Sequence, residues 1–276
     1  MRALPFLEKM KKGGKMYNFT DTNEIFKSYE MGIQTTFNGK TLERELTNAN
    51  GAFQTVMISG RGVVDQEHQT VDVTGRDGKV FRRKSYKERE IEITALISGI
   101  NNSAFRLQFE KLNELLDTNE PSDLVFGDEP NRIYKAQFES ADIPDEESNQ
   151  QIIKLKMICY DPKKLTDKKT VTSNQVNYAG SKETFPKISF TVGVNVKEIN
   201  LLHVEQQKYI RLKGTYTQGN RIEIDMKERT IKLNGRNELK NFDMVNSRFF
   251  SLQKGANTLR LTPSSQLTVE YSEVYQ

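Results

Sequence analysis

No tryptophan occurs in this 276-residue chain, cysteine occurs once and histidine twice. One cysteine, Cys159, cannot make a disulfide within the chain, and a reducing site of synthesis is the simplest reading. With only His68 and His203 beside it, no Cys/His zinc cluster can be assembled. Long apolar runs are missing too. None approaches the roughly 20 residues that cross a bilayer as a helix, so no membrane partner is expected. Net charge is only +4, from 41 basic and 37 acidic residues, whereas a nucleic-acid binder concentrates positive charge on one face. No G-x-S-x-G, H-E-x-x-H or comparable motif occurs. The expectation is a protein that is not an enzyme and uses no cofactor or metal.

What is present is polar and periodic. Hydrophobic residues make up 36% and charged residues 28%, with short apolar runs throughout, a composition suited to β-rich domains that solvate one sheet face. The length accommodates two domains. The opening, MRALPFLEKMKKGGKM, holds an apolar stretch too short for a signal-peptide core, and Glu8 and Lys9 interrupt it. Lys11-Lys12-Gly13-Gly14-Lys15-Met16 is what a purine-rich ribosome-binding site encodes when read in frame. Residues 1–15 therefore read either as a translated leader before a start at Met16 or as a disordered basic tail.

Alternating segments follow. FQTVMISGRGVV (53–64) and HQTVDVTGRDG (68–78) read as strands broken by glycine turns, and EREIEITALI (88–97) puts Ile91, Ile93, Ala95 and Ile97 on one face. In NNSAFRLQFEKLNELLDTNEP (101–121) the period changes: Phe105, Phe109, Leu112 and Leu116 recur at helical spacing. The expectation is one helix, about 104–117, capped by Asn102 or Ser103 and stopped before Pro121. Strands resume with RIYKAQF (132–138; Tyr134, Ala136 and Phe138 inward) and IIKLKMICY (152–160; Ile153, Leu155, Met157 and Cys159 inward). That pattern makes Cys159 a buried small hydrophobe. The domains expected are 16–165, a β-barrel or sheet-plus-helix unit; 166–184, a polar lysine-rich linker; and 185–276, a β-sandwich. Strands in the last include KISFTV, NRIEIDM, TIKLNG, RFFSLQ, NTLRLT and LTVEYSEVY. The fold class is mainly β with one helix.

Residues 221–237, RIEIDMKERTIKLNGRN, raise the question of paired carboxylates, Glu223 and Asp225. Ile222, Ile224, Ile231 and Leu233 take one face and the carboxylates the other, beside Arg221 and Lys232. Solvated charges on a hairpin are the expectation, with Asn234-Gly235 closing a turn. Glycines near basic residues in VTGRDGKVFRRKSY (73–86) lack the phosphate-loop pattern, and Gly75 and Asp77-Gly78 read as turn residues. Arg82, Arg83 and Lys84 are expected to face Glu88, Glu90 and Glu92 of the next strand in a solvated or intersubunit charge ladder. His68 and His203 lack partners at ligand spacing. A carbohydrate-binding or adhesion module is the alternative function, with Tyr209, Tyr216 and Phe250 as its candidate sugar platform.

The ordered set VTGRDG, EREIEI, LNELL, FGDEPNRIYKAQF, KLKMICYDP, FPKISF, IEIDMKERTIKLNG, FFSLQKGANTLRL and LTVEYSEVY resembles the distal tail protein family. These proteins serve long-tailed, non-contractile phages of Gram-positive bacteria and their prophages. The resemblance spans about residues 17–276. Y-x-A-x-F and L-x-x-G-x-N-x-L, the latter holding Gly255 and Asn257, carry most of it. It implies a homo-hexameric ring at the virion tail tip, made in the bacterial cytoplasm, with galectin-like C-terminal sandwiches facing outward. It implies as partners the tail tube protein, the tape-measure protein, the tail-associated hub protein and receptor-binding proteins, with DNA only as passing cargo. Residues 53–97 are the expected subunit contact.

Overall fold

The computed structural model describes residues 32–144 and 149–276, so the leader reading and the start at Met16 lie outside the described residues. The chain divides into two compact units, Met1–Pro162 and Lys163–Gln276.

The first unit holds strands β1 (Thr35–Phe37), β2 (Lys40–Thr41), β3 (Gly51–Ser59), β4 (Gln66–Asp72), β5 (Lys79–Tyr86), β6 (Arg89–Gly99), β7 (Ser122–Phe126), β8 (Ile133–Asp142) and β9 (Gln150–Cys159). Helices α1 (Leu42–Leu46) and α2 (Asn102–Leu116) join them. The main sheet runs β2-β1-β7-β8-β9-β6-β3, while among the described residues β4 and β5 pair only with each other. Alternation decides which faces are buried. Ile91, Ile93, Ala95 and Ile97 of β6 share a core with Ile153, Leu155, Met157 and Cys159 of β9. Burial pushes the Cys159 thiol up to about 12, so it stays a neutral, unreactive hydrophobe.

Helix α2 closes this core with Phe105, Leu112, Leu115 and Leu116, while Phe109 is partly buried. Its cap is Asn101 and not Asn102 or Ser103. A cap residue needs extended backbone, which Asn101 has (φ −154°), and its Oδ1 accepts the Ala104 N–H at 2.8 Å. Beside this one main helix lies the five-residue α1, which buries Leu42 and Leu46 but is too short to display a period. Phe138, expected inward, is only partly buried because β8 is irregular between Phe138 and Ser140.

The two ends of the main sheet are tied by side chains. Glu43 of α1 accepts the Thr55 hydroxyl (2.6 Å) and the Thr35 N–H (2.9 Å), and the two threonine hydroxyls lie 2.8 Å apart. Thr35 and Thr55 are fully buried, so each polar group there depends on this set of bonds.

The second unit holds β10 (Lys164–Leu165), β11 (Lys169–Val171), β12 (Gln175–Tyr178), β13 (Lys187–Thr191), β14 (Val196–His203) and β15 (Lys208–Tyr216). It continues with β16 (Arg221–Asp225), β17 (Thr230–Leu233), β18 (Arg236–Asn237), β19 (Gly255–Thr262), β20 (Leu267–Tyr271) and β21 (Val274–Tyr275). One sheet runs β11-β20-β13-β16-β17-β18 and the other β12-β19-β14-β15. Ile188, Ile222, Ile224 and Val269 of the first pack into one core with Ile199, Leu201, Ile210 and Leu259 of the second, as a sandwich requires.

Two expectations fail here. Residues 166–184 are not a bare linker, because β11 and β12 lie within them and Val176 and Tyr178 are core residues. Strands of three and four residues in a lysine-rich stretch are too brief for alternation to register. RFFSLQ is not a ladder strand. It buries Phe250 and Leu252 and touches the rest through a Thr184–Leu252 bridge.

Glu43→Ala leaves the Thr35 N–H and the Thr55 hydroxyl buried without their acceptor. Urea unfolding of this variant should show a loss of about 2–3 kcal/mol, while Glu45→Ala on the same helix stays within about 0.5 kcal/mol.

Candidate functional site

Glu223 and Asp225 belong to a hairpin. In β16 and β17, Ile222, Ile224 and Ile231 are fully buried, while Glu223 sits opposite Lys232 and Asp225 opposite Thr230. Glu223 accepts an ion pair from Arg221 Nε at 3.1 Å. Asp225 Oδ1 accepts the Lys227 and Glu228 N–H groups at 3.0 and 2.9 Å, shaping the turn to β17. The next turn has Asn234 at φ 49° and Gly235 at φ 81°, as a two-residue hairpin link demands. Asn234 Oδ1 also takes the Arg221 N–H at 2.8 Å. These carboxylates shape and solvate a hairpin. Among the described residues no group of three or more His, Cys, Asp or Glu side chains is placed to hold a metal ion.

Gly75, Asp77 and Gly78 lie at the tip of the β4–β5 hairpin. Gly75 (φ 81°) and Gly78 (φ 76°) adopt backbone that other residues resist. Arg82, Arg83 and Lys84 are exposed along β5, with Arg83 Nε donating to Gln69 Oε1 at 2.7 Å. The expected charge ladder between this run and Glu88, Glu90 and Glu92 is absent, because β5 does not pair with β6. The ladder instead lies between β6, β9 and β8. Glu92 pairs with Lys154 and Glu90 with Lys156, each at 3.1 Å, and Glu139 meets Lys156 at 3.0 Å. Those two carboxylates, Glu139 first, hold the Lys156 ammonium above its usual range. Glu88 lies in the β5–β6 connection.

The hairpin leaves the sheet from a clamp that no sequence pattern announced. Arg89 is buried and donates from Nη1 to the carbonyls of Gly60 (3.1 Å) and Gly62 (3.0 Å), and from Nε to that of Pro162 (3.0 Å). Gly60 has φ 83°, and a Cβ there would lie 1.9 Å from the Glu90 carbonyl oxygen. Between the two glycines, Arg61 makes a two-pronged pair with Asp128 at 2.7 and 2.8 Å. In EREIEI, Arg89 reads as one more surface charge. Only a lone arginine at the start of an otherwise core-facing series hinted at its role.

Gly255 and Asn257 form the centre of the second unit's polar core. Asn257 is 1% exposed. Its two Nδ2 hydrogens are taken by the carbonyls of Gln253 (2.8 Å) and Gly255 (2.9 Å), with the Val176 carbonyl a longer contact at 3.4 Å, and its Oδ1 accepts the Gln253 N–H at 2.9 Å. His203 Nε2 lies 3.0 Å from the same Oδ1, which assigns the ring proton to Nε2, and Nδ1 accepts the Gln206 N–H at 3.3 Å. L-x-x-G-x-N-x-L thus encodes a loop sealed onto β12. Gly255, at φ 100°, makes the bend. His68 is exposed on β4 and meets Phe81 edge-on at 5.8 Å.

A third tight structure covers the outer edge of β15. The Asp243 N–H donates to the Arg211 carbonyl, the Arg248 N–H to the Tyr209 carbonyl, and Phe242 bridges Leu212. Hydrogen bonds from Asn246 and Lys213 pull the Asp243 carboxyl down to about 2. Of the aromatic residues considered for a sugar platform, Tyr216 and Phe250 are buried in the core, so that platform does not exist.

Comparison with known proteins agrees with this arrangement. Residues 40–159 match the phage tail protein RIFT-related domain, and residues 179–275 match the siphovirus-type tail component, C-terminal domain. The distal tail protein of Bacillus phage SPP1 is 29% identical over 227 residues, covering 79% of this chain and 88% of that protein. The crystal structure of the SPP1 protein is described as a paradigm of the hub adsorption apparatus in phages that infect Gram-positive bacteria. It shares the fold, with a TM-score of 0.76 at 21% identity over 88% of this chain and 99% of its own.

Asn257→Ala removes a buried hub, and its cost should be about 2–4 kcal/mol, read as a lower unfolding midpoint of the second unit. The Asp243 carboxyl lies below its unfolded value of about 3.9. Its contribution is therefore complete above that value and disappears as pH falls through about 2. Asp243→Asn should flatten the loss of stability between those values in an acid titration.

Proposed function

The chain belongs to the distal tail protein family of siphoviruses, a structural part of the tail tip and not an enzyme, and on that premise we propose that it forms a homo-hexameric ring. In this reading the first unit, which ends at Pro162, builds the ring, and the sandwich of the second unit, Lys163–Gln276, galectin-like in shape, faces outward. The tail tube and tape-measure proteins lie above the ring, the tail-associated hub below, and receptor-binding proteins dock on the outside. DNA only passes through the channel.

One observation carries the ring reading. Among the described residues the β4–β5 hairpin pairs with no other strand, β4 is exposed along its whole length, and Val71 and Phe81 are exposed on its two faces near Arg82, Arg83 and Lys84. An isolated two-stranded ribbon is marginal in water, and such apolar exposure on it fits a surface covered by a neighbour. The sugar-binding alternative has lost the buried Tyr216 and Phe250 of its candidate platform.

Size exclusion with light scattering should give a hexamer, or assembly that grows with protein concentration. Reversing Arg82, Arg83 and Lys84 to Glu should weaken it roughly tenfold or more and change its salt dependence. Hexamers unchanged by the reversal would remove this hairpin from the contact. A strict monomer that binds cell-wall glycans would overturn the reading.

A further inference from the structure

We propose that the hairpin's counterpart is the acidic C-terminal end of α2 on a second copy of this chain, an inference that rests on the ring reading and names its contact. Residues 76–87 carry six basic side chains and one acidic. Residues 110–120 carry the opposite balance, Glu110, Glu114, Asp117 and Glu120 against Lys111. All four carboxylates are on exposed residues, and none is in an ion pair among the described residues. Lys111 is not in an ion pair with them among the described residues; its ammonium donates to the Glu45 carbonyl, and the run stays net acidic, four carboxylates against one ammonium.

Local stability does not account for this face. Glu110 and Glu114 are like charges one turn apart, which destabilises a helix. Asp117 caps the helix end, where the macrodipole favours cations, and the last turn holds no basic residue. A cationic partner reverses the sign of both effects. Leu107 stands on the same face, three residues before Glu110 and seven before Glu114, and is 59% exposed. The helix thus offers an apolar spot flanked by carboxylates, and the hairpin offers Phe81 (58% exposed) on one face and Val71 (41% exposed), opposite Val80, on the other, amid the basic run of β5.

Both patches are exposed on the single chain, so neither covers the other within it. Two different patches that complement each other make a head-to-tail contact, the kind that closes into a ring when repeated. The clamp at Gly60 and Gly62 fixes the base of the hairpin, so little ordering cost remains for docking.

Cys159 is buried, which leaves introduced cysteines as the reactive thiols of the described residues. Full-length tagged Arg83→Cys chain and untagged Glu114→Cys chain, co-expressed and treated with a short bis-maleimide, should give a cross-linked heterodimer. Adding Glu110→Lys and Asp117→Lys to the second chain should lower the yield about tenfold. Adding Arg82→Glu and Lys84→Glu to the first should restore it, which also shows that the reversed chains fold. Wild-type rings without the cross-link, or a cross-link indifferent to charge reversal, overturn the pairing and leave the ring reading intact. The charge-dependent cross-link without a ring supports the pairing against the ring. Neither cross-link nor assembly overturns both.

Discussion

A buried guanidinium governs the first unit. Arg89 sits at the start of the central strand β6 and binds the carbonyls of Gly60, Gly62 and Pro162. A charge taken out of water is tolerated when its donors are used, and backbone carbonyls from separate segments take Nε and Nη1 here, while Nη2 is left without a partner among the described residues. Remove that grip and the route from β3 to the hairpin loses its fixed direction. The hairpin itself has almost no core. Its placement relative to the sheet is set at its base, by Arg89, by the close approach of Gly60 to β6, and by the Arg61–Asp128 pair.

The second unit uses the same device with a neutral group. Asn257 satisfies two carbonyls and one N–H and touches a third carbonyl, that of Val176, while His203 donates to its oxygen, and the loop before β19 is thereby held against β12. Neither constellation resembles a reactive centre. Both spend their polar groups on backbone, which shapes surfaces instead of activating a substrate. A protein that works by assembly needs edges and arms held in one place, and buried side-chain-to-backbone bonds supply that rigidity at low cost in sequence.

Much of the fold was legible because it depends on period. Ile91 to Ile97 declared the inner face of β6, Phe105 to Leu116 declared α2, and Ile222, Ile224 and Ile231 declared a hairpin whose carboxylates are solvated. The turn at Asn234-Gly235 was readable because few residue pairs accept left-handed backbone twice in succession. Elements too short to show a period were missed: α1, β11 and β12. So was the partner of the acidic run. Glu90 and Glu92 looked like mates for Arg82 to Lys84, one strand away in sequence, yet they pair with Lys156 and Lys154 across β9.

That last error marks the division. The order of residues along the chain determined which faces are apolar, where the backbone must turn, and which family the ordered motifs resemble, because each depends on neighbours a few positions apart. Tertiary structure alone decided that β5 stands apart from β6, that Arg89 is interior while Arg82 is exterior, and that Asn257 reaches Val176. Strand pairing joins residues far apart in sequence, and a charged side chain reads the same whether it meets water or a carbonyl. Only the register of the sheet and the path of the chain tell those two situations apart.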